Sequence, residues 1–159
     1  SSNEDIPSAK IDRAIDLTEE IVENGEKVII FSVFKDPLLK LQELLKDYKP
    51  VLLTGDVKED EVEKNKEAFQ NDPSCKVMLA TTQKAGTGLT LTAASYAIFI
   101  DTPWTAAEFE QAQDRIHRIY QKRDCHIYNL MVEDSIDIWH DYLLKAKQRA
   151  AFLAQGDIN

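Results

Sequence analysis

Gln111, Asp114, Arg115 and Arg118 stand at i, i+3, i+4 and i+7 within Gln111-Ala112-Gln113-Asp114-Arg115-Ile116-His117-Arg118, a spacing that places them on adjoining faces of one helix. Two guanidinium groups beside an amide and a carboxylate suit phosphate chemistry. The arginine fork grips phosphate oxygens bidentately and keeps its proton at any physiological pH. A solvated, salt-bridged helix face accounts for the same charges more plainly. Beside them, His117 is read as a satisfied helix histidine rather than a general base, and Asp114 as a group that orients Arg115 or Arg118.

A second segment, Thr81-Thr82-Gln83-Lys84-Ala85-Gly86-Thr87-Gly88-Leu89-Thr90-Leu91-Thr92, is rich in hydroxyls and carries two glycines and one lysine. Without a Cβ, Gly86 and Gly88 let backbone amides approach a phosphate closely. A turn that simply needs small residues is the competing account. Neither glycine is followed by Lys-Thr or Lys-Ser, so this is not a Walker A loop.

Such residues need a scaffold, and the hydropathy pattern supplies one. Short apolar, β-rich runs at Val28–Phe31, Val51–Leu53, Val77–Ala80, Ala97–Ile100 and Ile127–Leu130 read as strands buried on both faces. Between them lie helical patterns: Ile11–Asn24, Pro37–Tyr48 after a cap at Asp36, Glu59–Asn71, and Thr105–Arg118 opened by the capping box Thr105-Ala106-Ala107-Glu108. Strand and helix alternate, which predicts an α/β domain with a mostly parallel sheet and right-handed crossovers. In such sheets ligands bind outside the carboxyl ends of the strands. The loops beginning at Ser32, Thr54, Thr81 and Asp101 are therefore the candidate surface. A last amphipathic helix is expected from the cap Ser135 through Trp139, Leu143 and Ala146. The expected organisation is a polar extension over 1–7 that looks cut from a longer chain, one domain over 8–154 with that C-terminal helix, and a frayed tail over 155–159.

Composition narrows the class. At 159 residues and 43% hydrophobic content the chain suits one packed domain. It shows neither an apolar run of membrane-spanning length nor a signal-peptide pattern. A protein with no membrane association, intracellular and monomeric as an isolated domain, is expected. Cys75 and Cys125 are too far apart for a redox or zinc motif and are read as reduced and inert. No metal ligand set is found. The net charge of −9 argues against an indiscriminate nucleic-acid binder. The charge is unevenly spread, however. Residues 1–67 hold 17 acidic and 10 basic side chains, whereas Arg115, Arg118, Lys122 and Arg123 over 111–126 face only Asp114 and Asp124.

Taken together, Ala80 through Ala94, the strand ending in Asp101 followed by Trp104, and Gln111 through Gln121 resemble motifs five and six of the C-terminal lobe of Swi/Snf-type, superfamily-two helicase-like ATPases. Ser8-Ala9-Lys10, Lys27 through Ser32, Thr54-Gly55, Ala68 through Asp72 and Val132 through Ile136 extend the resemblance over roughly residues 8–140. Two departures stand out. Tyr120 replaces the family's usual glycine, and Gly55-Asp56-Val57 replaces its usual Gly-Ser/Thr-Thr/Ser turn.

The resemblance implies a RecA-like three-layer α/β/α domain and half of a split active site. ATP with Mg2+ would sit between two lobes and be bound mainly by an N-terminal RecA-like lobe of the same parent chain. This chain has neither a Gly-x-x-x-x-Gly-Lys-Thr/Ser loop nor an Asp-Glu-x-His motif and is expected to be inactive alone. Arg118 is implied as the arginine finger, with Arg115 beside it and Gln111 orienting water or the arginines. Gly86, Gly88, Asp114, Arg115 and Arg118 are the implied ATP-facing positions. Ser32, Thr54, Gly55, Thr81, Thr82 and Lys84 are the implied contacts to the backbone of double-stranded DNA. Hydroxyl, amide and single-lysine contacts read no bases, so such binding is sequence-independent. Location is expected to be cytoplasmic, or nuclear in a eukaryote. The alternatives are a non-catalytic RecA-like interaction or regulatory module, and a Rossmann-like nucleotide binder. The second lacks Gly-x-Gly-x-x-Gly after its first strand, where Ser32-Val33-Phe34-Lys35-Asp36-Pro37 stands. Trp104 is read as a packing anchor rather than a base-stacking platform.

Overall fold

The computed structural model describes residues 8–85, 93–119 and 126–131. Its elements in chain order are α1 (Ser8–Glu23), β1 (Val28–Ser32), α2 (Lys35–Leu44), β2 (Val51–Leu53), α3 (Glu59–Asn71), β3 (Val77–Thr81), α4 (Thr82–Ala85), β4 (Tyr96–Phe99), α5 (Ala106–Ile119) and β5 (His126–Asn129). A 3-10 turn over Lys46–Tyr48 follows α2. The expected helix from Ser135 and the tail lie outside the described residues.

The five strands form one sheet in the order β2-β3-β1-β4-β5, and each neighbouring pair is parallel. Side chains on successive strand residues point to opposite faces, and the two faces are filled by different helices. On one side Val28, Ile30, Val77, Leu79 and Ile98 pack against Ile11, Ala14, Leu17 and Ile21 of α1 and Leu38 and Leu41 of α2. On the other, Ile29, Phe31, Met78, Ala80, Ala97 and Phe99 meet Val62 and Phe69 of α3, with Trp104 and Phe109 beside them. This is the three-layer α/β/α domain expected of the sequence. Ile30, Leu79 and Ile98 lie at its centre with no exposure, and each such side chain contributes about 1.5–3 kcal/mol by leaving water.

Local chemistry sets the element ends. Gly25 closes α1 at φ 81°, with its amide on the Val22 carbonyl at 2.9 Å and the Glu26 amide on the Ile21 carbonyl at 3.2 Å. That bond pair is the glycine-terminated helix end in which a left-handed residue satisfies the last carbonyls. Helix α2 departs from expectation at its start. Phe34, not Asp36, is the N-cap and makes no side-chain cap bond. Asp36 and Pro37 instead occupy the first turn, where proline loses no helical hydrogen bond. β4 and β5 each begin one residue earlier than the apolar runs suggest. Parallel pairing aligns Tyr96 with Val28 and with His126, drawing these less apolar residues into the sheet. The segment after β3 begins as the short helix α4 and not as a loop.

Candidate functional site: the carboxyl edge of the sheet

The loop after β1 leads toward β2 and the loop after β4 leads toward β5, on opposite sides of the sheet. β1 and β4 are neighbours, so the crevice between their carboxyl ends is the topological switch point at which open α/β sheets bind ligands. Asp101 closes this seam. Its Oδ2 accepts the Ser32 hydroxyl at 2.5 Å and its Oδ1 accepts the Val33 amide at 2.8 Å. Ser32 Oγ in turn accepts the Phe34 amide at 3.1 Å. Ser32 is wholly buried and Asp101 is 9% exposed. A buried carboxylate of this kind survives because two donors reach it. The Ile100 amide donates to the Phe31 carbonyl at 3.1 Å, and the Phe31 and Phe99 rings stack at 4.5 Å just beneath.

Register brings the candidate hydroxyls into one row. Ser32 pairs with Thr81 across β1 and β3, and Leu53 pairs with Ala80 across β2 and β3, which sets Thr54 level with Thr81. Thr54 is buried, while Thr81 and Thr82 are half-buried and Gly55 is exposed. The Thr54 hydroxyl donates to Asp56 Oδ1 at 2.5 Å, and the Val57 amide donates to the Thr54 carbonyl at 3.2 Å, closing the turn. Asp56 Oδ2 is ion-paired with Lys35 Nζ. The hydrogen bond from Lys35, and then that from Thr54, hold the Asp56 carboxyl down at about 2. The side chain of Lys84, and Gly86 and Gly88 altogether, lie outside the described residues.

Helix α5 leaves the same edge and is fixed at its start. The Thr105 amide donates to Glu108 Oε1 at 2.9 Å and the Glu108 amide to Thr105 Oγ1 at 3.2 Å, the reciprocal capping box expected from the sequence. Those bonds to Thr105 lower the Glu108 pKa. Trp104 packs between Phe99, at 4.4 Å between ring centroids, and Phe109, at 5.5 Å. It is therefore an anchor that seats the first turn of α5 on the sheet. Gln111 and Asp114 are exposed farther along this helix. Arg115 and Arg118 fall within it, one and two turns beyond Gln111, and their side chains lie outside the described residues.

Three polar residues at this edge were given no role of their own by the sequence: Asp101, Lys35 and Asp56. Asp101 carried a usable signal, a carboxylate directly after an apolar strand. Lys35 and Asp56 carried none for their pairing, which joins the first residue of α2 to the turn after β2, 21 residues apart. Among the described residues no group of three His, Cys, Asp or Glu is arranged to hold a metal ion. None of their helices is long and apolar enough to cross a membrane. Cys75 is buried with a free thiol, and desolvation raises its pKa, opposed by nearby Lys27.

The family model described as the helicase conserved C-terminal domain matches residues 9–120. A rice SNF2 domain-containing protein, ENL1, is 36% identical over 132 residues, covering 82% of this chain and 13% of the relative. Helicase SWR1 of Candida albicans is 33% identical over 142 residues, covering 88% of this chain and 8% of the relative. The chain thus spans a small fraction of the curated relatives it matches. Among solved structures, the C-terminal part of the Fun30 ATPase domain superposes with a TM-score of 0.67 at 31% identity, over 83% of this chain and 44% of that one. The Sulfolobus solfataricus SWI2/SNF2 ATPase core in complex with dsDNA gives 0.62 at 31% identity, over 76% of this chain and 25% of that one.

Proposed function

This chain belongs to the helicase conserved C-terminal domain family, as the C-terminal lobe of a SNF2-type ATPase, and on that premise we propose that it is the half of a DNA-stimulated motor that supplies the arginine finger and part of the DNA-backbone surface. The observation that carries the reading is the shared origin of two groups at one sheet edge. In the row, Ser32 and Thr81 end β1 and β3 and Thr54 directly follows β2, and α5, bearing Gln111, Asp114, Arg115 and Arg118, departs from beyond the end of β4, the neighbour of β1. The dsDNA complex of the similar Sulfolobus core supports double-stranded DNA as the partner.

ATP with Mg2+ would supply the phosphoryl group and would be held mainly by the N-terminal lobe, since the sequence offers no Walker A loop. The part of this chain is electrostatic. Arg118 would face the γ-phosphate and stabilise charge developing on the transferred oxygens, an effect of order 10³–10⁵ in rate for arginine fingers. Arg115 and Asp114 would set its orientation, Gln111 would position the attacking water, and Gly86 and Gly88 would offer backbone amides. Such a finger reaches the nucleotide only when the lobes close. ATP binding then favours closure and hydrolysis releases it, converting chemistry into stepping.

On the DNA side Gly55, Thr81, Thr82 and Lys84 would meet phosphates without reading bases. Ser32 and Thr54 contribute by fixing the loops after β1 and β2, since their hydroxyls are buried and already engaged. The test is DNA-stimulated ATP hydrolysis by the full-length protein, wild type beside Arg118→Ala, with this chain alone in parallel. Loss of turnover in Arg118→Ala with ATP binding retained, and no activity of the isolated chain, is the expected result. Normal hydrolysis by Arg118→Ala would remove the finger assignment and favour a non-catalytic interaction module.

A further inference from the structure

Asp56 stands between a cation and a hydroxyl that belong to different strand ends. Lys35 opens α2 just beyond β1, and Thr54 follows β2. The two oxygens of one carboxylate serve both, Oδ2 for the Lys35 ammonium and Oδ1 for the Thr54 hydroxyl. A phosphodiester is likewise an anion whose oxygens can accept from the Lys35 ammonium, whereas the Thr54 hydroxyl is buried. The Lys35 and Asp56 side chains are 43% and 58% exposed, so a polyanion can reach both. An ion pair that open to water holds its partners weakly.

We propose that Lys35 is a latent DNA-backbone contact whose phosphate position the Asp56 carboxylate occupies, so that duplex DNA engages Lys35 only when Asp56 is removed or released. The proposal rests on the reading of this edge as a DNA-backbone surface. Lys35 and Asp56 neutralise each other in the free protein, so the loop after β2 adds no net positive charge to the encounter. A phosphate gains Lys35 only by releasing Asp56. The Gly55-Asp56-Val57 turn is in this sense a brake on affinity, set by one residue.

Asp56→Asn removes the anion while keeping the size of the side chain and an oxygen for Thr54. Binding of a labelled duplex of random sequence to the full-length protein, followed by fluorescence anisotropy over a salt series, reads the consequence. Neutralising one more phosphate steepens the dependence of log affinity on log salt by about 0.9. Asp56→Asn should therefore bind more tightly than wild type, with the ratio of the two affinities falling roughly 3.5-fold for a fourfold rise in salt. Adding Lys35→Ala to Asp56→Asn should abolish the extra slope, whereas Lys35→Ala alone should change the slope little. Melting curves of each variant check that the fold is kept.

An equal gain from Asp56→Asn with and without Lys35 would mean a general charge effect and would overturn the proposal. So would an unchanged slope in Asp56→Asn. Lys84→Ala and Thr82→Ala separate the two levels of argument. If they weaken binding while Asp56→Asn leaves the slope alone, only this inference falls. If none of these substitutions alters binding, the DNA-backbone reading of the edge falls with it.

Discussion

The Ser32 hydroxyl and the Asp101 carboxylate meet at 2.5 Å across the seam between β1 and β4, joining the loop at the head of α2 to the segment that leads into α5. With the Val33 amide on the second oxygen, the carboxylate fixes the backbone of one loop from the end of a neighbouring strand. A hydrogen bond to a charged group contributes about 1.5–3 kcal/mol. Ser32→Ala should cost about that much in urea-unfolding free energy, because it leaves one buried carboxylate oxygen without its donor. In a double-mutant cycle with Asp101→Asn the two changes should be non-additive by at least about 0.5 kcal/mol. Additive losses would show that the contact is idle.

This contact also marks the limit of what the sequence discloses. The strands were legible because fully apolar runs such as Val28–Phe31 have few other uses, and the end of α3 was legible because Pro73 stands just beyond Asn71. α2 was displaced because Asp36, a good cap by type, lies one residue inside a helix whose start is set by the loop that Asp101 holds. Ser32 and Asp101 are 69 residues apart, and only the strand order makes them neighbours. No local periodicity encodes a polar pair of that kind. The row of Ser32, Thr81 and Thr54 was nameable as separate residues, but its alignment is a property of register.

Thr105→Ala should remove one arm of the capping box and cost about 1 kcal/mol, the usual loss for a threonine N-cap. The amide of Glu108 loses its acceptor at Thr105 Oγ1, so hydrogen exchange there should accelerate while exchange in β1 and β3 stays slow. Thr105→Ser, which keeps the hydroxyl, should restore protection. Equal protection in Thr105→Ala would show that Trp104 and Phe109 hold the first turn unaided.

The Asp56 carboxyl is lowered from 3.8 to about 2 by the hydrogen bonds from Lys35 and Thr54. A carboxyl whose folded pKa is depressed contributes stability that is complete above its unfolded value and lost as pH falls through its folded value. The Lys35–Asp56 pair should therefore support the fold at neutral pH and fade between about pH 5 and pH 2. A carbonyl-carbon NMR titration should place the Asp56 midpoint near 2, and Lys35→Ala should move it part of the way back toward 3.8, since Thr54 remains. Added salt should shrink the difference, because the pair is exposed. An unmoved midpoint in Lys35→Ala would assign the whole shift to the Thr54 hydroxyl.

Trp104 separates a packing role from a nucleic-acid role by substitution. It is half-buried and lies against Phe99 and Phe109 at ring-centroid distances of 4.4 and 5.5 Å. Trp104→Ala should destabilise by about 3 kcal/mol, the lower end for loss of a large aromatic, because part of its surface already meets water. Trp104→Phe retains a ring between the same neighbours and should cost less than about 1.5 kcal/mol. Base stacking on an aromatic contributes about 1–3 kcal/mol per base, so a stacking role would appear as a corresponding loss of DNA affinity in Trp104→Ala at a temperature where it remains folded. The packing role gives the opposite pattern, a lowered melting temperature with duplex affinity within twofold of wild type. Weakened DNA binding in a Trp104→Ala protein of unchanged stability would transfer Trp104 from the foundation of α5 to the contact surface.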